Sequence, residues 1–206
     1  MDERDFHAAT CDVGGKVVHG HNAIRDWLAA WLERFTGRAA STEPLVPAWN
    51  RPLVDAAGHP ELDEQGRPKA KLAKLDVAFF DGEGRRAYAD VVVSSAATSC
   101  AAARAARAST NGAANADAVR AKRSKYPQAK SPNTPLVPFA VEALGRVSPE
   151  AHGLLNAVAP ADKKVRSQVL RTAKQTLSVL VQTRLAELLL TAEPGRGCTG
   201  PAASVA

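Results

Sequence analysis

Two short apolar runs, each interrupted by one aspartate, constrain this chain more than any other feature. Leu75-Asp76-Val77-Ala78-Phe79-Phe80 and Ala87-Tyr88-Ala89-Asp90-Val91-Val92-Val93 flank Asp81-Gly82-Glu83-Gly84-Arg85. Two β-favouring runs around an Asp-Gly step predict a hairpin. Asp76 and Asp90 have thirteen residues between them, and a five-residue loop brings such positions side by side. A carboxylate inside an apolar strand is costly unless something compensates. A divalent cation is one compensation, since hard oxygen ligands suit magnesium; exposure at a strand edge is the other. If the pair holds a metal, it can orient a phosphodiester, activate water and neutralise a leaving oxygen.

Around this hairpin the pattern alternates between helix and strand. Ile24, Trp27, Leu28, Trp31, Leu32 and Phe35 recur at helical spacing, with Asn22 as the expected N-cap and Gly37 as the stop. Leu45-Val46-Pro47-Ala48-Trp49 is an apolar island whose proline points to an edge strand or bulge. Residues 50–67 are expected to form a long exposed loop, and no internal repeat is expected anywhere. Residues 96–110 are Ala-rich and favour helix, and a second helix is expected from about Asn115 to Tyr126. Residues 136–144 read as a strand, and Ser148-Pro149-Glu150 as a helix start. Val165, Val169, Ala173, Leu177, Val181, Leu185 and Leu188 mark a long amphipathic helix to about Ala192, followed by a tail expected to be disordered. The order implies an α/β layered domain: a small mixed β-sheet flanked by helices, with a C-terminal helical extension.

Charge bears on partners. The 206 residues carry 27 Lys and Arg against 21 Asp and Glu, a net +6. The excess concentrates between Ala96 and Lys130, where Arg104, Arg107, Arg120, Lys122, Arg123, Lys125 and Lys130 face one acid, Asp117. Such a surface suits a polyanion, or is simply a solvated helix face. Lys122 and Lys125 share a helix face with Tyr126 close by. A lysine beside a scissile phosphate positions water and stabilises the transition state, while Arg104, Arg107, Arg120 and Arg123 would supply sequence-independent phosphate contacts. No apolar run approaches the ~20 residues of a membrane span, and no secretory signal is read. Cys11, Cys100 and Cys198 show no disulfide-like spacing, which points to a reducing nuclear or cytoplasmic setting. His19 and His21 read as surface groups that cap a helix or contact phosphate, with metal binding as the alternative. His59 and His152 read as exposed, and the three tryptophans as core.

Lys74-Leu75-Asp76, then Asp90-Val91-Val92-Val93, then Lys122-Arg123-Ser124-Lys125-Tyr126 resemble the PD-(D/E)xK nucleases. More narrowly they resemble the restriction-like endonuclease domain at the C-terminus of site-specific non-long-terminal-repeat retrotransposon polyproteins. Residues 137–146 look like the strand and turn that follow the lysine helix there. His19-Gly20-His21-Asn22-Ala23-Ile24-Arg25-Asp26 is similar to the segment that opens the domain, and His7 and Cys11 to the second half of its zinc knuckle. The resemblance covers roughly residues 5–160 and rests on the order and spacing of short motifs.

The resemblance implies a restriction-endonuclease-like core over 21–160, preceded by a zinc-knuckle remnant at 1–20 and followed by a helix at 161–193 and a tail at 194–206. It implies Asp76 and Asp90 as ligands for magnesium or manganese, Lys122 or Lys125 as catalytic lysine with Tyr126 beside it, and His21 among the nucleic-acid contacts. Its partners are DNA, element RNA and a reverse transcriptase supplied in trans. Leu75 stands where the motif has proline, and Val92 where the general motif has lysine; the narrower family takes that lysine from the next helix. Half a knuckle cannot hold a structural zinc, which needs four ligands. Two other readings stay open: a nuclease fold that binds nucleic acid without cutting it, and self-association through the C-terminal helix.

Overall fold

In the computed structural model, which describes residues 16–95 and 101–191, the chain is mixed α/β: a small four-stranded mixed sheet flanked by helices. In chain order the elements are α1 (Lys16–Thr36), β1 (Ser41–Thr42), a 3-10 turn (Pro47–Trp49), β2 (Arg51–Pro52), β3 (Ala70–Lys71), β4 (Val77–Phe80) and β5 (Arg86–Ser94). After them come α2 (Ala101–Ser109), α3 (Ala113–Lys125), β6 (Leu136–Glu142), α4 (Pro149–Val158) and α5 (Lys163–Thr191). The main sheet runs β1-β4-β5-β6. The first three strands are antiparallel, and β6 lies parallel to β5. Parallel neighbours need a crossover, and the α2–α3 segment provides it.

Strand alternation gives the sheet two different faces. Val77, Phe79, Ala87, Ala89, Val91, Phe139 and Val141 point into the main core. There they meet Ile24, Leu28 and Leu32 of α1, Leu155 of α4, and Leu177 and Val181 of α5, all under 2 % exposed. The apolar stripe of α5 is thus largely spent against α1 within the chain. Ala78 and Tyr88 point the other way, into a smaller cluster with Val46, Trp49 and Tyr126. Pro138 sits in β6, an edge strand, where a missing N–H is tolerated. The start of α4 is as expected: Ser148 Oγ accepts from Ala151 N at 3.2 Å with Pro149 in the first helical position.

Three expectations are corrected. Helix α1 begins at Lys16 rather than after Asn22, so His21 is a helical residue. Gly20, a helix-weakening residue that argued against this extension, is there for contact: a Cβ on it would lie 1.9 Å from Cδ of Arg184 on α5. The apolar island does not form the edge strand; that role falls to Ser41–Thr42, while Pro47–Trp49 turns in a 3-10 helix and buries Trp49.

The third correction concerns residues 50–67, which are built rather than loose. Pro52-Leu53-Val54-Asp55-Ala56-Ala57-Gly58-His59 and Pro60-Glu61-Leu62-Asp63-Glu64-Gln65-Gly66-Arg67 are two copies of an octapeptide, and Pro68-Lys69-Ala70 begins a third. In each full copy the aspartate Oδ1 accepts two backbone N–H groups, from Ala57 and His59 or from Gln65 and Arg67, all at 2.9 Å. The glycine that follows takes a left-handed φ, +86° at Gly58 and +75° at Gly66, which suits a residue without Cβ. Three residues at eight-residue spacing then close a ring of backbone hydrogen bonds. Leu53 N donates to Lys69 O (3.0 Å), Lys69 N to Glu61 O (2.7 Å), and Glu61 N to Leu53 O (2.9 Å). The same turn recurs between β4 and β5. Asp81 Oδ1 accepts from Glu83 N and Arg85 N, and the left-handed residue is Gly84 (φ +78°) rather than Gly82 of the Asp-Gly step. This is a three-residue hairpin loop with a bulge.

Candidate active site

The hairpin brings the two aspartates together. The β4–β5 register pairs Val77 with Ala89, so one step further Asp76 lies opposite Asp90. Both fall on the sheet face that carries Ala78 and Tyr88, away from the main core. The two carboxyls are near enough that each shifts the titration of the other. Asp90 is 3 % exposed and Asp76 part-buried.

Their environments differ. Asp76 is held at both oxygens. His21 Nε2 lies 2.8 Å from Oδ1, and Val91 N donates to Oδ2 at 2.6 Å. Burial pushes the Asp76 carboxyl up, but its hydrogen bonds with His21, Asp90 and Val91 outweigh it, leaving it below the usual range. Asp90 is paired with Lys122, whose Nζ lies 2.7 Å from Oδ2; the contact is an ion pair rather than a directed hydrogen bond, and Oδ2 has no hydrogen-bond donor among the described residues. Burial pushes Asp90 up to about 6, against the pull of Lys122 and with the help of the neighbouring Asp76. One carboxyl is therefore kept charged and the other is poised to hold a proton near neutrality, a division typical of functional sites.

Lys122 and Lys125 no longer look alike. Lys122 is on the stripe of α3 that includes buried Asn115 and Val119 and faces the sheet, which carries its amine to Asp90. Lys125 is exposed, its amine 4.8 Å above the Tyr126 ring. Tyr126 is 3 % exposed, tilted against Trp49 at 5.8 Å between centroids. Burial first, and the charge of Asp90 second, raise its phenol.

The arginines expected to bind phosphate are placed elsewhere. Arg107 bonds Asp117 at 3.2 Å and Ser95 O at 3.0 Å, tying α2 to the end of β5. Arg120 pairs with Asp117 at 3.3 Å, and Arg123 with Glu150 at 3.1 Å. Both of the latter line a groove of about 610 Å³ with Arg146 and Glu150. Arg104, His7 and Cys11 lie outside the described side chains. His21 was expected at phosphate; it is bonded to Asp76 instead. Its role was hidden because the helix was expected to begin one residue after it. The usable signal was spacing: His21 is three residues before Ile24, a fully buried residue of α1.

The donor set fits a hard cation. Among the described residues no group of three or more His, Cys, Asp or Glu is placed to hold an ion jointly. Magnesium characteristically takes one or two carboxylates and completes its shell with water and phosphate oxygens, and Asp76 with Asp90 offers that pair. No family model and no curated protein matches this chain. Among the described residues no helix is long and apolar enough to cross a membrane.

Proposed function

We propose that this chain is a magnesium-dependent DNA endonuclease with a restriction-endonuclease-like core. The observation that carries the reading is the convergence of Asp76, Asp90 and Lys122 on one face of the sheet, with Lys122 Nζ 2.7 Å from Asp90 Oδ2. Asp76 and Asp90 would hold magnesium, which when bound would supply Lewis-acid stabilisation of the phosphate and the leaving oxygen. His21 and the Val91 N–H hold Asp76 charged and oriented. Asp90, its proton released to solvent above about pH 6, would be the second carboxylate ligand. Lys122 then has its ammonium beside the phosphate, where it stabilises charge developing in the transition state. Tyr126 backs the site as a buried wall, and Lys125 lies at its rim. In the resembled family such an activity nicks a target so that the freed end primes reverse transcription. In that case element RNA and a polymerase act in trans, in the nucleus or cytoplasm, and manganese substitutes for magnesium.

The test is nicking of supercoiled plasmid by the purified chain in magnesium. Asp76→Ala and Asp90→Ala are expected to abolish it, a loss of at least about 100-fold for a metal-site ligand, with circular dichroism unchanged. Nicking by both variants at the wild-type rate sinks the assignment. A specific observation favours the second reading, a nucleic-acid-binding domain without catalysis: Asp90 is nearly sealed, and the Lys122 amine stands 2.7 Å from its Oδ2, where a cation would bind. That reading expects salt-sensitive DNA binding and no cleavage by the wild type.

A further inference from the structure

Arg107, Arg120 and Arg123, helix arginines that the sequence offers to DNA, are already paired with acids, whereas two other cations lie over an aromatic floor beside the acidic site and two more face each other at the root of the arm that follows Trp49. Trp49 is the centre of that floor. Its ring lies 6.0 Å from Tyr88 and 5.8 Å from Tyr126, and its Nε1 donates to Pro127 O at 2.9 Å. Arg86 lies over the Tyr88 ring at 5.5 Å, and Lys125 over the Tyr126 ring at 4.8 Å. Two residues beyond Trp49, Arg51 opens the octapeptide arm and is paired across β2–β3 with Lys71, so both project from the same face. The root of the arm is fixed: Asn50 Oδ1 accepts from Ala73 N at 2.8 Å, next to Trp49. All four cations are exposed. None of the ion pairs among the described residues includes Arg51, Lys71, Arg86 or Lys125.

We propose that Arg51, Lys71, Arg86 and Lys125 form the seat for the polynucleotide backbone, a basic rim carried on the Trp49–Tyr88–Tyr126 floor at the edge of the Asp76–Asp90 site. An arginine already neutralised by Asp117 or Glu150 must exchange one anion for another to contact a phosphate. The rim cations have no such competitor, and their counterions are released to solvent on binding, which is the main source of backbone affinity. Their mutual repulsion in the free protein is relieved by the same event. The ring faces beneath Arg86 and Lys125 hold those side chains out toward the ligand and lower the entropy lost on contact. The rim rests on the endonuclease reading for its place beside a scissile phosphate, but its binding is measured without catalysis.

The experiment is fluorescence anisotropy of a labelled duplex of about 20 base pairs, titrated with the full chain in EDTA over a range of KCl. Replacing Arg51, Lys71, Arg86 and Lys125 together by Gln is expected to reduce the slope of log K against log salt by about 3 to 4, near 0.9 for each lost contact. Affinity falls by more than about 100-fold at low salt, while thermal unfolding stays that of the wild type. Arg120→Gln with Arg123→Gln is the control, expected to leave slope and affinity within about twofold. An unchanged slope in the four-site variant overturns the proposal, as does an equal loss in the control pair. Wild-type binding of poly-glutamate as tight as that of the duplex overturns it too, in favour of an acidic protein partner. A chain that binds through the rim but does not nick plasmid removes the endonuclease reading and leaves the rim standing.

Discussion

The octapeptide arm and the acidic pair both turn on aspartates, yet they are made in opposite ways. In the arm, Asp55 and Asp63 are satisfied by backbone N–H groups two and four residues away, inside their own turns. In the site, Asp76 is satisfied by His21, 55 residues away, and by Val91, 15 away. Asp90 is balanced by Lys122 from another helix. In the arm, Asp63 lies below its ordinary range through hydrogen bonds from Arg67. Asp90 is pushed up to about 6, chiefly by burial. The same side chain is thus a turn cap where its donors are local and a titrating group where they are distant. Local donors make structure robust, and distant ones make chemistry dependent on the whole fold.

That contrast is sharpest at the residue joining the two regions. Trp49→Ala removes a fully buried ring that touches Tyr88 and Tyr126, and a loss of about 3–5 kcal/mol is expected. Denaturant unfolding measures it. If the arm is a self-sufficient unit, its amides keep their protection against exchange in this variant while those of Tyr88 and Tyr126 lose theirs. Loss of protection in both regions at once would break the distinction.

Second in size is the effect of pH. Folded Asp90 holds its proton up to about 6, whereas an unfolded aspartate releases it near 3.9. Between those values the folded state binds more protons, so metal-free stability falls as pH rises through the window. Above it the deficit is constant, of order 2–3 kcal/mol. Asp76 is depressed, so its contribution runs the other way and is lost only at lower pH. Urea unfolding of the EDTA-treated protein is therefore expected to show greater stability from this pair at pH 5 than at pH 7. Asp90→Asn removes the slope, and Lys122→Met moves the midpoint above 6. A wild-type slope retained in Asp90→Asn would place the titrating group elsewhere.

The smallest effect belongs to the arm. Asp63→Ala deletes the acceptor of the Gln65 and Arg67 N–H groups, and faster hydrogen exchange is expected at those two amides. Nicking and the main unfolding transition should not move. A shift of several degrees in the transition would show that the arm supports the core after all.

Much of the hairpin was legible because its information is short-range. Two apolar runs with Asp at matching distances from a turn place Asp76 and Asp90 on one face by parity alone. The helix carrying Lys122 was legible from its charge and from Pro127 beyond it. The octapeptide overturns the expectation of no internal repeat, although its marks, Pro at 52, 60 and 68 and Asp-x-x-Gly at 55 and 63, stand in the sequence. High Pro, Gly and charge content reads as loop, and that concealed a regular set of turns. His21 was named among the nucleic-acid contacts, but its hold on Asp76 was not legible: its helix was expected to start only after Asn22, and only the contact with Arg184 explains a glycine at position 20 inside that helix. Nor was the choice between Lys122 and Lys125, since three residues along a helix is too fine a step to orient without the sheet beneath it.

The Asp76–Asp90 pairing follows from the sequence by itself, since strand alternation and one turn place both side chains. So do the three Asp-x-x-Gly turns, where donor, acceptor and left-handed glycine all lie within five residues. Tertiary structure alone decided which lysine meets Asp90, which histidine holds Asp76, and which arginines are left without an acid. Those outcomes depend on how helices lie across a sheet, where a rotation of one residue exchanges a buried partner for solvent.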